Sequence, residues 1–495
     1  MLSRSSIASV IFISTLVFFC LICARIPFLD QVLIGEEGSH ALLIMGYNSN
    51  TSNLILDETT TKIAPLIDAN CLLVIAHING VDTVVRPSRN IVPYCFLGTI
   101  GKTSFQLLNP KNLSFNNKSF AARAIFLGIS CLGMIALLIM CSLVSLKLDG
   151  YFRLMPFLIF IYASCNPLAV GASIQPQIDG VFGFLLLGFA CLFLYFGSLT
   201  SLSTTKKLIF GFFVGFISAL AKNEWPLALI FGILFLVIVL YLMRMFKLVF
   251  LQNNLLNKNL EFFTAVSIIT GALSGIFFCY LISPSDYLAG YLLMKGINSG
   301  NTSYFKNFIN AIRFNFELLS PFIVIWVAGL ILLIKNLKKL IQSNFNYLIM
   351  WVWGSLIGMG YLLGGWGGDG FPRYYLPPLI LCSAFLICQL TIGRYSLRTK
   401  SCALIFVLIL VLISVYKLTR IYLKDESITI PGNSVAIQDE IIGAAKVVNR
   451  DPFGIVFHHS SLRFYFPDTN FISQAIGKEG AEQWKLPNSQ YHLVF

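Results

Sequence analysis

The sequence predicts an all-α polytopic membrane protein of about eleven transmembrane helices, with a large first external loop and a small α/β external C-terminal tail. Three observations carry that expectation. Of 495 residues, 57% are hydrophobic and only 12% charged, where ordinary soluble domains are about a quarter charged. Apolar runs recur along the chain at lengths near the roughly 20 residues that cross a hydrocarbon core. Lysines and arginines gather in short loops between those runs, the pattern that sets orientation in a bilayer.

The runs lie at about 7–24, 124–146, 154–170, 181–199, 208–221, 226–243, 263–283, 320–335, 346–363, 375–392 and 402–418. The first follows Arg4 and is long for the apolar core of a cleaved leader. Cys23-Ala24-Arg25 also lacks the small-x-small pattern of a cleavage site, so the run reads as a retained helix. The fifth and sixth are separated only by Lys222-Asn223-Glu224. Cysteines such as Cys131, Cys141, Cys191 and Cys279 fall inside apolar runs, where they act as small hydrophobes. Cys71 and Cys95 share one external segment, where a pair of free thiols is favoured over a disulfide.

Charge sets the orientation. Arg4, Lys147 and Arg153, Lys206 and Lys207, Arg244 and Lys247, Lys335, Lys338 and Lys339, and Arg394, Arg398 and Lys400 fall on one side. Glu36, Glu37, Asp179, Glu224, Asp286 and Asp369 fall on the other. The basic side is expected to be cytoplasmic, with the N-terminus inside and the C-terminus outside. The net charge of +13 is thus topological. No stripe of basic residues interleaved with aromatics marks a nucleic-acid groove, so membrane lipids, and no nucleic acid, are the expected partners.

Two regions follow. Residues 1–418 form the transmembrane domain, within which 25–123 is the large external loop. Its amphipathic stretches at 63–80 and 91–108 suit helices lying on a membrane surface. Residues 419–495 form the small external tail, with a helix expected over 434–449 and a strand at Gly454 to Phe457.

Candidate chemistry gathers on the acidic side. Gly364 to Pro378 reads Gly-Gly-Trp-Gly-Gly-Asp-Gly-Phe-Pro-Arg-Tyr-Tyr-Leu-Pro-Pro. Asp369 and Arg373 therefore stand at the edge of the hydrocarbon, where charges anchor helices or meet polar substrates. The planar fork of Arg373 suits two phosphate oxygens, with simple anchoring as the rival reading, and Tyr374 suits the interface. Glu36 and Glu37 supply either a general base or metal ligand, or the acidic first turn of a helix. Asp179 is either a helix cap or an acid converging with Glu36. Lys222 breaks the charge rule on its side, and either neutralises a phosphate or pairs with a carboxylate. His458-His459 has no third ligand at suitable spacing, and no metal site is assigned.

Taken in order, these segments resemble the C-type polytopic glycosyltransferases that use polyprenyl-phosphate sugar donors, among them protein O-mannosyltransferases and aminoarabinose lipid A transferases. Arg25-x-Pro27 followed by Gly35-Glu36-Glu37-Gly38-x-x-Ala41 is similar to the acidic first-loop motif. Arg86-Pro87, Pro93-Tyr94 and Ala122-Arg123 resemble the rest of that loop. Leu220-Ala221-Lys222 with Trp225-Pro226 resembles the lysine turn, and Phe371 to Pro378 the Pro-Arg-Tyr segment. The family usually has Asp-Glu where this chain has Glu36-Glu37.

The resemblance implies an enzyme of a bacterial inner membrane that moves a hexosyl or pentosyl group, with inversion, from a lipid phosphate at the outer face. The acceptor is a hydroxyl of a glycan, lipid or protein. Glu36 would be the base, Arg373 and Lys222 would stabilise the leaving phosphate, and Glu37 and Asp179 would orient groups or help hold a divalent cation. A flippase of lipid-linked saccharides and a polymer ligase using diphosphate donors remain rival readings. The near absence of charge inside the spans favours one-sided chemistry over transport.

Overall fold

The computed structural model describes residues 4–33, 41, 74–78, 81–85, 91–109, 113–176, 178–199, 201–222, 224–245, 255–282, 304–343, 345–363, 372–393, 395–423, 455–456, 471–472 and 492–493. The helices are α1 Arg4–Cys23, α2 Ile91–Leu108, α3 Phe115–Ser145, α4 Met155–Ser164, α5 Pro167–Ile174, α6 Ile178–Phe182, α7 Gly188–Gly197, α8 Thr204–Ala221 and α9 Glu224–Met245. They continue as α10 Leu255–Ile282, α11 Tyr304–Ser343, α12 Phe345–Leu363, α13 Leu376–Gln389 and α14 Leu397–Tyr422. A helix supplies every backbone hydrogen bond internally, which is what permits apolar runs of this length in lipid. Among the described residues each of the eleven apolar runs lies largely on helix.

Among the described residues, eight helices are long and apolar enough to cross a membrane. The chain is an all-α polytopic membrane protein. The run expected at 154–170 is not one straight span: Gly150–Ser164 and Pro167–Ile174 meet at 68° and make a ninth crossing only as a bent pair. The cause is local. Proline disfavours helical backbone at the preceding residue, and Asn166 is accordingly extended, at φ −82° and ψ 159°. Its side chain satisfies both helix ends: Oδ1 accepts from the Ala169 amide at 3.0 Å, while Nδ2 donates to the carbonyls of Tyr162 at 3.0 Å and Ala163 at 2.9 Å.

The run at 375–392 also differs. Helix α13 has 14 residues, all buried, and at 1.5 Å per residue it reaches about 21 Å. That falls short of a hydrocarbon core of about 30 Å. Helix α13 is the centre of the bundle, packed against α4, α11 and α12. Helix α11 goes the other way, running 40 residues through Pro321 well past its apolar window of Leu318–Leu337.

The tightest helix pair is α8 with α10. Gly211 and Gly215 on α8 face Gly271 and Gly275 on α10, so each helix carries a Gly-x-x-x-Gly step. A Cβ at Gly215 would collide with the Ile268 carbonyl, and one at Gly271 with that of Phe212. Such small-residue faces let backbones approach in lipid, where apolar burial alone gives no drive.

Residues 91–108 form helix α2, which packs against α8 and α10. The stretch at 63–80, expected as a surface helix, is corrected in its second half. Residues Val74–Ile78 form strand β1, antiparallel to β2 Val81–Val85, with Ile78 opposite Val81. The intervening dipeptide is Asn79-Gly80, a strong hairpin signal between alternating runs. In the tail, β3 Ile455–Val456 lies between β4 Phe471–Ile472 and β5 His492–Leu493 in a parallel sheet. The expected strand at Gly454 to Phe457 is thus present as β3. The helix expected over 434–449 lies outside the described residues.

Candidate functional site

Two buried arginines tie the end of α1 to the bundle. Arg25 has 0% exposure. Its Nε donates to Ser173 Oγ at 2.7 Å, Nη1 to the Leu21 carbonyl at 2.7 Å and Nη2 to the Ser164 carbonyl at 2.8 Å. One guanidinium thus joins the last turn of α1, the break between α4 and α5, and α5 itself. Its Cζ also lies 5.9 Å from the Phe184 ring centroid. A cation this deep persists only when its donors are met.

Arg123, on α3, is 1% exposed. Its Nε and Nη2 donate to the carbonyls of Gln31 and Val32, both at 3.1 Å. Leu33 is fully buried beside them. The chain is therefore pinned just before Gly35-Glu36-Glu37. Glu36 and Glu37 themselves lie outside the described residues, as does Asp369.

The second half of the site forms where two distant turns meet. Lys222 ends α8 with extended backbone, at φ −146° and ψ 143°. Its ammonium sits 4.3 Å from the Tyr374 ring centroid and 5.7 Å from that of Tyr361. The Tyr361 and Tyr374 rings pack at 5.1 Å. Trp225 Nε1 donates to Tyr361 Oη at 3.3 Å, and Trp353 Nε1 donates to the Trp225 carbonyl at 2.9 Å. Both tryptophans are buried. The lysine turn, α12 and the Pro372–Tyr375 3₁₀ turn are thereby locked together.

Arg373 is a backbone member of that 3₁₀ turn, and its side chain lies outside the described part. The turn packs against α5, α6, α11, α12 and α13. Asp179 belongs to α6, again with only its backbone described. Helix α6 in turn touches α8, whose end carries Lys222. A Cβ at Gly180 would strike the Ala172 carbonyl, so glycine lets α6 close onto α5 directly beside Asp179. The elements bearing Asp179, Lys222, Arg373 and Tyr374 therefore meet at one end of the bundle.

Two polar groups in these elements lack partners among the described residues. Gln175 Oε1, in the link from α5 to α6, and Tyr375 Oη are both buried without a hydrogen bond. Buried polar atoms are normally satisfied. Among the described residues no three His, Cys, Asp or Glu side chains converge to hold a metal ion.

No protein-family model matches the chain, and no curated protein matches it. Among solved structures the chain is similar to ArnT from Cupriavidus metallidurans in the apo state, at 13% identity and a TM-score of 0.49, over 90% of this chain and 73% of that one. It is also similar to ArnT of the same organism bound to undecaprenyl phosphate, at 12% identity and a TM-score of 0.42, over the same shares.

Sequence reasoning had Arg25 and Arg123 as motif residues without a structural task, and it passed over Tyr361 and Trp353. The available signal was an arginine beside an apolar run, which needs a partner. For Tyr361 it was an aromatic residue three positions before the glycine run, at the depth where such rings serve as interfacial anchors.

Proposed function

We propose that this chain is a membrane glycosyltransferase that moves a sugar from a polyprenyl-phosphate donor to an acceptor hydroxyl at the outer face of a bacterial inner membrane. The observation that carries the reading is the seat of Lys222 on Tyr374. It puts an ammonium beside the Pro-Arg-Tyr turn, and that turn packs against the helix that carries Asp179. A polyprenyl phosphate is an anion on an apolar tail, and this end of an apolar bundle offers positive charge at a recessed turn.

In the proposed reaction the acceptor oxygen attacks the anomeric carbon and its proton passes to the Glu36 carboxylate. The bond from that carbon to the phosphate oxygen breaks, with inversion, and polyprenyl phosphate leaves. A positioned base contributes about 10²–10⁴ in rate. Arg373 and Lys222 stabilise the charge that grows on the leaving phosphate. Glu37 and Asp179 orient the acceptor or the base, or hold a divalent cation, and Asp369 takes part in binding the substrate.

The test is transfer from a radiolabelled polyprenyl-phosphate sugar to outer-face acceptors by the purified protein in vesicles. Glu36→Gln is expected to insert normally and lose transfer, and Arg373→Ala to raise the donor KM or lower kcat. Full activity of Glu36→Gln removes that residue from the base role. Movement of labelled lipid across the bilayer without transfer replaces the reading with a flippase, and turnover only with diphosphate donors replaces it with a polymer ligase.

A further inference from the structure

At the other end of α13 lies a cavity of about 340 Å³ between α4, α11, α13 and α14, within the range of ligand pockets, about 300–1,000 Å³. Its walls are apolar, formed by residues such as Ile159, Ala328, Ile331, Leu386, Ala403 and Phe406. Ile331 and Phe406 are 60% and 54% exposed on the outer surface of the bundle, so the cavity opens sideways, toward lipid. Along α14 it runs from Thr399 to Leu410, about 16 Å at 1.5 Å per residue.

Its charged lining is Lys335 and Lys400. Lys335 Nζ lies 5.2 Å from the Tyr395 ring centroid and Lys400 Nζ lies 5.3 Å from that of Phe152. Those two rings touch each other at 6.1 Å. Two ammonium groups therefore rest on one aromatic floor at the mouth of one apolar groove. Among the described residues neither has a carboxylate partner. Tyr395, whose pKa burial raises, stays neutral there and adds no negative charge. Paired cations over apolar walls are held stably when an anion sits between them.

We propose that this groove holds one anionic phospholipid, its phosphate between Lys335 and Lys400 and an acyl chain along α14. The same end of the bundle carries Lys147, Arg153, Lys339 and Arg398, with Arg153 bonded to Ser6 Oγ and Lys339 to the Ile392 carbonyl. Basic residues collected at one membrane edge face a leaflet rich in anionic lipid. The groove and the sugar-transfer region sit at opposite ends of α13, so this inference stands apart from the proposed reaction.

The experiment is native mass spectrometry of the delipidated full chain with phosphatidylglycerol and phosphatidylcholine of identical acyl chains. Wild type is expected to retain phosphatidylglycerol at least tenfold better, and Lys335→Gln/Lys400→Gln to lose that preference. Lys335→Arg/Lys400→Arg is expected to keep it. Ala403→Trp, which fills the groove and spares both lysines, is expected to weaken retention of the lipid, and unchanged retention there overturns the proposal even if the double Gln variant folds poorly. Equal retention of the two lipids by wild type, or an unchanged preference in a folded double Gln variant, overturns it too. Lysine-dependent retention of undecaprenyl phosphate in place of phosphatidylglycerol, or displacement of the lipid by millimolar inorganic phosphate, overturns it as well.

Discussion

Arg123 on α3 holds the carbonyl of Val32 at 3.1 Å through Nη2, while its Nε holds that of Gln31. The side chain is buried, and the segment it grips leads directly to Glu36 and Glu37. The first loop therefore leaves the bundle from a fixed point.

Arg123→Met keeps most of the volume and deletes both bonds. Hydrogen bonds from a charged donor contribute about 1.5–3 kcal/mol each, so thermal unfolding in detergent is expected several degrees lower. Because the released carbonyls stand three and four residues ahead of Gly35, sugar transfer is expected to fall more steeply than the folded fraction. A variant with lowered Tm and unchanged specific activity would leave Arg123 a structural residue only.

The contact of Lys222 with Tyr374 makes a prediction that separates ring from hydroxyl. A cation over an aromatic face contributes about 0.5–2 kcal/mol, a factor of roughly 2 to 30 at about 1.4 kcal/mol per decade. Tyr374→Phe keeps the ring and is expected to leave the donor KM within about twofold of wild type. Tyr374→Leu is expected to raise it by a factor within that range, and Lys222→Gln to raise it at least as far. The check is steady-state kinetics with varied donor at saturating acceptor.

Gly215 and Gly271 set the spacing of α8 and α10. Gly215→Ala must push the Ile268 carbonyl away, and overpacking of this kind costs about 1–3 kcal/mol. Gly128, on α3, has nothing within 4 Å of the position its Cβ would take. Gly128→Ala is expected to hold or raise stability, since alanine favours helix over glycine by about 1 kcal/mol. Thermal unfolding of the two variants side by side reads both expectations.

How much of this was legible in the sequence follows from what each signal depends on. The helices were legible because runs of apolar residues long enough for a bilayer have no other stable form. The strand around Ile455 was legible from alternation alone. The hairpin at Val74–Val85 was missed although Asn79-Gly80 announced it, because an amphipathic reading of 63–80 ran across the turn. The shortness of α13 was not legible, since an apolar count runs on from Gln389 to Ile392, where the helix has already ended. Of the site, the sequence named Lys222 and Tyr374 but not their contact, because Tyr361, Trp225 and Trp353, which hold the two turns together, come from separate segments. The α8–α10 glycines carried a readable Gly-x-x-x-Gly spacing, but which helices it joined depended on tertiary placement.

The bend between α4 and α5 gives the sharpest separation of folding from function. Asn166 is 1% exposed and provides the cap of α5 together with two donors to the end of α4. Asn166→Ala takes that partner from one amide and two carbonyls at a buried position, at about 1–3 kcal/mol for each group left unsatisfied. Asn166→Asp keeps the acceptor toward Ala169 but turns a donor toward Tyr162 and Ala163 into a second acceptor, so it is expected to destabilise at least as much as alanine. Arg25 still grips Ser164 and Ser173 in both variants, so the helices stay attached while their angle loosens. Helix α5 leads through Gln175 to Asp179, and a loosened angle moves that link relative to the Pro372–Tyr375 turn. Both variants are therefore expected to lose kcat beyond their loss of folded protein. Restored kcat at low temperature, where the folded fraction recovers, would show that Asn166 serves stability alone.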